Sequence, residues 1–376
     1  MRAIFHLGLQ KTGTTTIQHF LRGNAAALSE QGIAARRVPN GVVARQDSQL
    51  EFGICQFARA GRLLPNPGTA SSYRVEDLDA LQRFADRYEA RLRKFIAGRA
   101  EQVCLISSEH VGAWTVDEDL ARAMDDWLHT LFDEVQYVMY IRRQEDWLLS
   151  LYSQALRNGH APNLGRYVRR LIRQDYARRV DPWYTVAGPE RFRLRLMEPD
   201  ALTDGDLLAD FAEVAGISLD GLWRPPRRNE SYSPDAAYLL RMVNAARNAP
   251  DRQIDTDLRD SIERALSEVT AGREKLQLSP AQVEAIRVTN AAANEALRAR
   301  FFPERGELFP PRAGVADAPA RPFLKVSRDS MADLCLDLIV HLMRAEGGTD
   351  TARKLKSILA KRDMPRWPFS WTKTPR

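Results

Sequence analysis

Short apolar runs alternate with helical periodicity through the first 220 residues of the chain. Mainly apolar runs at 3–7, 103–107 and 135–141 are typical of strands buried within a sheet, and residues 192–196 look like a fourth strand. Between these runs, apolar residues recur every three or four positions and predict helices over 16–28, 75–100, 120–132, 145–157 and 207–215. The alternation of strands with helices favours a parallel sheet with helices on both faces.

The pattern changes in the remaining segments. Residues 36–75 carry several prolines and glycines, which predicts a long loop or a set of short elements. After residue 234 the strand signal disappears, and 234–300 has the composition of helices. Residues 303–322 are rich in Pro, Gly and Ala and predict a surface linker, before a last helix over 330–344. The C-terminal half is therefore expected to be helical.

Composition and charge limit the classes of ligand. The chain has 376 residues, of which 44% are hydrophobic, enough for a large core. Its formal net charge of +6 suits anionic ligands such as nucleotides, acidic glycans or membrane headgroups. Because no run of like charges resembles a nucleic-acid-binding tail, we expect no nucleic-acid partner, whereas transient contact with a membrane surface remains compatible with this charge.

The number of cysteines and the hydropathy of the chain predict a reducing compartment. Cys55, Cys104 and Cys335 are odd in number and widely spaced, which predicts reduced thiols and neither a disulfide framework nor a zinc site. The N-terminal apolar run is too short for a signal peptide, and no stretch approaches the ~20 apolar residues that cross a bilayer. We therefore expect a cytoplasmic protein without a transmembrane segment.

A candidate anion-binding loop follows the first predicted strand. Residues 6–16 read HLGLQKTGTTT, so that a strand enters a glycine-containing loop and then a helix. Gly8 and Gly13 match the glycine spacing of the nucleotide-binding pattern G-x-x-x-x-G-K-[ST], but Thr14 stands at the lysine position and Lys11 lies inside the loop. This departure is evidence against an ordinary ATP or GTP site. The alternative is a glycine-rich turn that caps a helix and binds nothing.

The sequence KTGTT at residues 11–15 resembles the 5′-phosphosulfate loop of sulfotransferases that use 3′-phosphoadenosine 5′-phosphosulfate (PAPS). The flanking residues 6–8 and Gln18 resemble the bacterial, carbohydrate-type branch of that family. The resemblance implies a three-layer, P-loop-like α/β fold and places Lys11 at the bridging oxygen and the sulfuryl group. It also implies that Thr12, Gly13, Thr14, Thr15 and Thr16 hold the 5′-phosphate, so that these residues and Lys11 together bind the donor.

The same resemblance implies an anchor for the 3′-phosphate of the donor. Arg142 ends a predicted strand and Ser150 follows eight residues later, as in the family motif, with Arg143 as the alternative contact. An arginine fork and a helix hydroxyl are suited to a phosphate. Arg228, within PRRNES at 226–231, is a third and looser match, for which a solvated turn is the alternative.

Two residues after the second predicted strand are candidates for the general base. Glu109 and His110 follow residues 103–108, and ligands of open α/β sheets bind beyond the carboxyl ends of the strands. The resemblance favours Glu109 as base, with His110 as the second candidate. The alternative is that Glu109 caps a helix or pairs with an arginine while His110 packs, and His6 is expected to be structural. Nothing in the motif requires a metal.

Four arginines between the 3′-phosphate motif and the fourth predicted strand form another candidate surface. Arg166, Arg169, Arg170 and Arg173 have the spacing of one helix face. A solvated helix face is one explanation and contact with an acidic acceptor is the other.

The resemblance covers residues 1–310, with a donor-binding core over 1–232 and a helical part over 233–310. Residues 311–376 are expected to form an extension, a helix plus a tail, packed on the same domain. The implied activity is transfer of a sulfuryl group from PAPS to a hydroxyl or amine of a carbohydrate or glycolipid, with 3′,5′-adenosine bisphosphate (PAP) as product. A P-loop kinase that uses ATP and magnesium, or a catalytically inactive binding protein of the same fold, are the alternatives.

Overall fold

A computed structural model describes residues 1–35, 49–226, 231–249, 254–311 and 328–345. The chain divides into two compact units. The first combines Met1–Leu148, Leu171–Asn229 and Val283–Asp317, and the second combines Leu149–Arg170, Glu230–Gln282 and Ala318–Arg376. The division at residue 310 that the sequence suggests stays a prediction.

A parallel sheet of five strands organises the first unit. The strands are β1 (Arg2–Leu7), β2 (Ile33–Ala34), β3 (Val103–Ser108), β4 (Glu134–Ile141) and β5 (Phe192–Leu196), in the spatial order β2-β3-β1-β4-β5. Every neighbouring pair is parallel. The four strands predicted from apolar runs are confirmed, and β2 escaped prediction because two residues carry no period.

Alternation of side chains along the strands produces a core on each face of the sheet. Phe5 packs with Ile106 and Tyr137 in one cluster of buried residues, whereas Ile4 packs with Leu105 in the other. Helices cover both faces, so the fold has three layers. The expected α/β class with a central parallel sheet is confirmed.

The helices account for most of the remaining described residues. In chain order they are α1 (Thr14–Gly23), α2 (Ala25–Glu30), α3 (Leu50–Arg59), α4 (Pro67–Tyr73), α5 (Leu78–Ala97), α6 (Glu109–Trp114), α7 (Glu118–His129), α8 (Gln144–Arg157), α9 (Leu164–Leu171), α10 (Ala177–Arg191), α11 (Leu207–Ala215), α12 (Pro234–Arg247), α13 (Thr256–Val269), α14 (Pro280–Phe301) and α15 (Arg328–Ala345). The predicted helix over 16–28 is two helices, because the Asn24 side chain bonds the Phe20 carbonyl and the backbone of Trp223.

The second unit contains the packed helices α12, α13 and α15. Their contact faces carry buried apolar residues, among them Leu240, Ile262, Leu266 and Leu338. The helical character expected after residue 234 is therefore confirmed. Among the described residues, no helix is both long and apolar enough to cross a membrane.

Candidate functional site

The order of the strands brings three loops to one edge of the sheet. β1 lies between β3 and β4, and all three strands run in the same direction. The chain adds β2 and β3 on one side of β1, then β4 and β5 on the other. Such a reversal of strand order opens a crevice beyond the carboxyl ends, where open α/β sheets bind ligands.

The loop after β1 ends in a left-handed glycine that begins α1. Gly13 has φ of 81°, and a Cβ there would lie 2.2 Å from Cδ2 of Leu207. The left-handed conformation therefore favours glycine, and a side chain there would also displace the end of the Leu207 side chain. The N-cap glycine offers no side-chain cap, and the first turn of α1 contains no acidic residue. The backbone N–H groups at this helix start are thus suited to an anion.

Two of the loop threonines use their hydroxyl protons inside the loop. The buried Oγ1 atoms of Thr12 and Thr14 donate to the Leu9 carbonyl at 2.9 and 3.1 Å. Because a hydroxyl carries one proton, these two residues have only backbone N–H groups to offer a phosphate. Thr15 is exposed and Thr16 is partly exposed, so their hydroxyls face outward from the helix start.

The next two carbonyls of the loop are held by side chains from the end of β4 and from α8. Trp147 donates its indole N–H to the Gln10 carbonyl at 3.0 Å, and Arg142 donates from Nη1 to the Lys11 carbonyl at 3.3 Å. A trans peptide directs its N–H opposite its carbonyl, so these bonds turn the following amides to the other side of the loop. Lys11 itself has φ of 66°, a strained value for a side-chain-bearing residue.

Glu109 begins α6 directly after β3 and lies close to the loop. Its side chain is partly exposed, and Ser108 caps the helix by accepting the Val111 N–H. Burial raises the pKa of the Glu109 carboxyl above its ordinary value, while the charge of Lys11 acts to lower it. The two candidate catalytic side chains are therefore within electrostatic reach of each other.

Close backbone packing fixes the distance between α6 and the loop. A Cβ on Gly112 would lie 2.3 Å from the Gly8 carbonyl oxygen, and a Cβ on Gly8 would lie 3.0 Å from Cα of Glu109. The first separation is far below contact distance and the second is tighter than most Cβ contacts, so the close approach of the helix to the loop depends mainly on the glycine at position 112. Gly112 escaped the sequence analysis, because α6 is too short to show the helical period that would have marked a glycine there as unusual.

The two histidines of this region are buried or partly buried and uncharged near neutral pH. Burial lowers the pKa of His110 to about 4, and its ring packs edge-on against Trp114 at 4.9 Å. Nδ1 of His110 is buried without a hydrogen-bond partner in the described part of the chain. Burial lowers the pKa of His6 to about 3, and His6 Nδ1 lies 2.9 Å from Oγ of Ser107. His6 is structural, whereas His110 has a weakly basic ring.

The two arginines after β4 occupy different environments. Arg143 is 5% exposed and donates to the Glu198 carboxylate and to the Pro310 carbonyl, each at 2.7 Å. Arg142 is partly exposed and lies against the loop through the Lys11 carbonyl. The geometry favours Arg142 over Arg143 as the residue available to a ligand, and its contact with a 3′-phosphate stays a prediction.

The remaining candidates have separate placements. Ser150 lies on α8 and belongs to the second unit, and Arg228 lies outside the described residues. The four arginines predicted on one helix do not share one, because α9 ends at Leu171 and Arg173 follows it. Groups of three or more metal-ligating side chains do not occur among the described residues, and independence from metal stays a prediction.

Comparison with known proteins adds one structural similarity. No family model matches the chain, and no curated protein matches it. The crystal structure of a sulfotransferase from Alicyclobacillus acidocaldarius is similar at 17% identity and a TM-score of 0.36, covering 68% of this chain and 97% of that one. A similarity of this size supports no conclusion on activity, which must be argued from the loop and its surroundings.

Proposed function

We propose that this chain is a sulfotransferase that moves a sulfuryl group from PAPS to an acceptor hydroxyl or amine. The observation that carries the proposal is the position of Lys11. It lies inside an anion-binding loop, its carbonyl is bound by Arg142, and its charge reaches Glu109. An ATP-binding loop needs its lysine at the position of Thr14 instead.

The loop and the start of α1 account for donor binding in this proposal. The backbone amides of residues 12–16 and the outward hydroxyls of Thr15 and Thr16 hold the 5′-phosphate, helped by the positive end of the α1 dipole. Arg142 and Ser150, with Arg228 as a further candidate, hold the 3′-phosphate. That second phosphate distinguishes PAPS from ATP.

Transfer follows an in-line displacement. The acceptor oxygen or nitrogen attacks sulfur, the bond from sulfur to the bridging oxygen breaks, and PAP leaves with the electron pair. Lys11 stabilises the charge that develops on the departing oxygen. Glu109 receives the acceptor proton, and its raised pKa makes the ionised carboxylate a stronger base. His110 ranks second, because a ring with a pKa of about 4 is a weak base.

The acceptor is a carbohydrate or glycolipid in this proposal. That assignment rests on the resemblance of residues 6–18 to the bacterial carbohydrate-type branch. The side chains around the loop indicate the identity of the donor more closely than that of the acceptor, since acceptor loops vary around a common donor site.

Calorimetric titration with PAP and with ATP plus magnesium tests the donor. We expect PAP to bind tightly and ATP weakly, with PAP affinity reduced at least about tenfold by Arg142→Ala and by Lys11→Ala. Lys94→Ala, an exposed lysine on α5, is the matched control and should bind PAP normally.

The other outcomes separate the alternatives. Tight ATP–magnesium binding without PAP binding would establish the kinase class instead. Tight PAP binding without turnover of PAPS across a panel of sugars and glycolipids would indicate an inactive binding protein. Equal PAP affinity in all three variants would exclude the loop as the donor site.

A further inference from the structure

A second basic site lies in the first unit, in front of α10. It is a cleft of about 470 Å³. Three arginines, one aspartate and two uncharged residues line it: Val116, Arg173, Gln174, Asp175, Arg178 and Arg179. The lining carries a formal charge of +2, since three guanidinium groups face one carboxylate.

The segment that carries these residues is held firmly in place. The buried Asn290 on α14 accepts the Gln174 N–H at 2.8 Å and donates to the Ile172 carbonyl at 2.8 Å. Two residues further on, Tyr176 donates its hydroxyl to the Arg142 carbonyl at 2.6 Å. These hydrogen bonds fix the backbone of the cleft before a ligand binds. The bond from Tyr176 also joins this segment to Arg142 at the carboxyl end of β4.

The charges of the cleft are not neutralised internally. Among the described residues, no carboxylate lies within ion-pair distance of Arg173, Arg178 or Arg179. By contrast, Arg300 on the nearby α14 forms an ion pair with Asp181 of α10. Asp175, which precedes α10, uses Oδ1 to accept the Ala177 N–H at 3.0 Å.

Arg179 is the least exposed of the three arginines and is held at the end of α6. Its Nη1 donates to the carbonyl of Thr115 at 3.2 Å, and the buried Thr115 is fixed by bonds to Val111 and Gln56. Burial lowers the pKa of Arg179 and the neighbouring Arg178 lowers it further, as expected for a guanidinium that lacks a carboxylate partner.

The cleft lies near the candidate base. Glu109 is the first residue of α6, and Thr115 follows its last, which places them roughly 9 Å apart at 1.5 Å of helix rise per residue. One or two sugar rings span such a distance. Tyr176 connects the same segment to Arg142, so the cleft and the donor loop belong to the same edge of the sheet.

We infer that this cleft binds an anionic group of the acceptor, so that the acceptor is an acidic sugar bearing a carboxylate or sulfate. Guanidinium forks match either group through two parallel hydrogen bonds. The inference rests on the proposed function, since it assigns the substrate class of that same site. Arg173, Arg178 and Arg179 are the specificity-determining residues.

A matched pair of glycosides tests the inference. Binding of p-nitrophenyl β-glucuronide and p-nitrophenyl β-glucoside is measured by calorimetry, with and without saturating PAP, and inorganic sulfate serves as a third probe. We expect the glucuronide to bind at least about tenfold more tightly than the glucoside, because the two differ by one carboxylate. Sulfate should compete with the glucuronide.

Two double variants locate the preference. Arg173→Gln with Arg178→Gln removes two exposed charges from the cleft and should abolish the preference for the glucuronide. Arg83→Gln with Arg87→Gln removes two exposed charges from α5, outside the cleft, and should retain it. Arg179→Gln is measured alongside its unfolding temperature, because this residue also bonds Thr115.

Each outcome decides the matter. Equal affinity for both glycosides, no glucuronide or sulfate binding, or an unchanged preference in the cleft variant would overturn the inference. If PAP fails to bind while the glucuronide preference depends on the cleft, the donor assignment falls and the anion site stands. If PAP binds and the preference is missing, the donor assignment stands and the acidic acceptor is rejected.

Discussion

Lys11 combines a strained backbone with a charge at the proposed leaving oxygen. Its φ of 66° lies in the left-handed region, where a Cβ costs energy that glycine avoids. We expect Lys11→Ala and Lys11→Gly both to lower turnover at least about 100-fold, since each removes the ammonium. Lys11→Gly should nevertheless be more stable than Lys11→Ala by about 1 kcal/mol, measured by denaturant unfolding.

Lys94→Ala is the comparison for both substitutions, because it removes an exposed lysine of α5. It should leave turnover and the free energy of unfolding almost unchanged. Equal stability of the two Lys11 variants would mean that the loop relaxes without strain, and retained turnover would remove Lys11 from the mechanism.

Glu109 should control the acidic limb of the pH profile. Burial raises its pKa, so its protonated fraction at mildly acidic pH exceeds that of an ordinary glutamate. We expect turnover to rise with pH through this pKa, and Glu109→Gln to abolish turnover while PAP affinity persists. Steady-state rates across pH, together with calorimetry, measure both effects.

The stability of Glu109→Gln gives a second readout. A raised folded-state pKa means that the proton favours folding at low pH, and this contribution is lost as pH rises through that pKa. An uncharged glutamine should therefore not destabilise the protein near neutral pH. Marked destabilisation would instead identify the carboxylate as a structural partner, and an unchanged acidic limb would transfer the role to another group such as His110.

At the scale of elements, the end of β4 gives two adjacent arginines opposite tasks. Arg143 forms a buried ion pair with Glu198, whereas Arg142 contacts the loop. We expect Arg143→Ala to lower the free energy of unfolding by about 3–5 kcal/mol, because it leaves a buried carboxylate unpaired. Arg142→Ala should lower PAP affinity with little loss of stability. Denaturant unfolding and calorimetry on the same pair of proteins measure both.

A further variant checks the cause of the instability. Replacing Arg143 by Met together with Glu198→Leu removes both charges, and should recover much of the stability lost in Arg143→Ala. If the double variant is as unstable as the single one, packing of the arginine stem explains the loss. If Arg142→Ala binds PAP normally, the assignment at this strand end is wrong.

Elements with a clear period were predictable, and elements without one were not. The strands β1, β3 and β4 are mainly apolar, β5 alternates apolar residues with arginines, and the bounds of all four agree with the sequence to within one residue. α6 has six residues, too few to show a helical period. The break between α1 and α2 depends on Asn24 bonding Trp223, a residue distant in the sequence, so no local signal announces it.

At the scale of the whole molecule, parallel strands explain why the site was partly predictable. The carboxyl ends of such strands share one edge, so Gly13, Glu109 and Arg142 could be assigned to that edge from sequence. The sequence could not tell which arginine is buried, because Glu198 reaches Arg143 only in the folded chain. The sequence named Arg173 as a candidate contact for an acidic acceptor, but it grouped this residue with the arginines of α9 and not with Arg178 and Arg179, which line the cleft in front of α10.

Donor binding should also register in global stability. A ligand that binds only the folded state stabilises it by about 2.7 kcal/mol at 100 times its dissociation constant. We expect PAP to raise the unfolding temperature by several degrees and ATP with magnesium to raise it less, as measured by scanning calorimetry. Arg142→Ala should reduce the PAP shift, and an equal shift for both nucleotides would argue against selection by a 3′-phosphate.

The contact between Gly112 and the Gly8 carbonyl has a consequence for how this site can change. An alanine at position 112 would push α6, and with it Glu109, away from the donor loop, because its methyl carbon would overlap the backbone of Leu7 and Gly8. Acceptor-binding residues can diversify around the site while this position admits only a hydrogen atom. Gly112 thus sets the distance between the proposed proton acceptor, Glu109, and the loop that holds the leaving group.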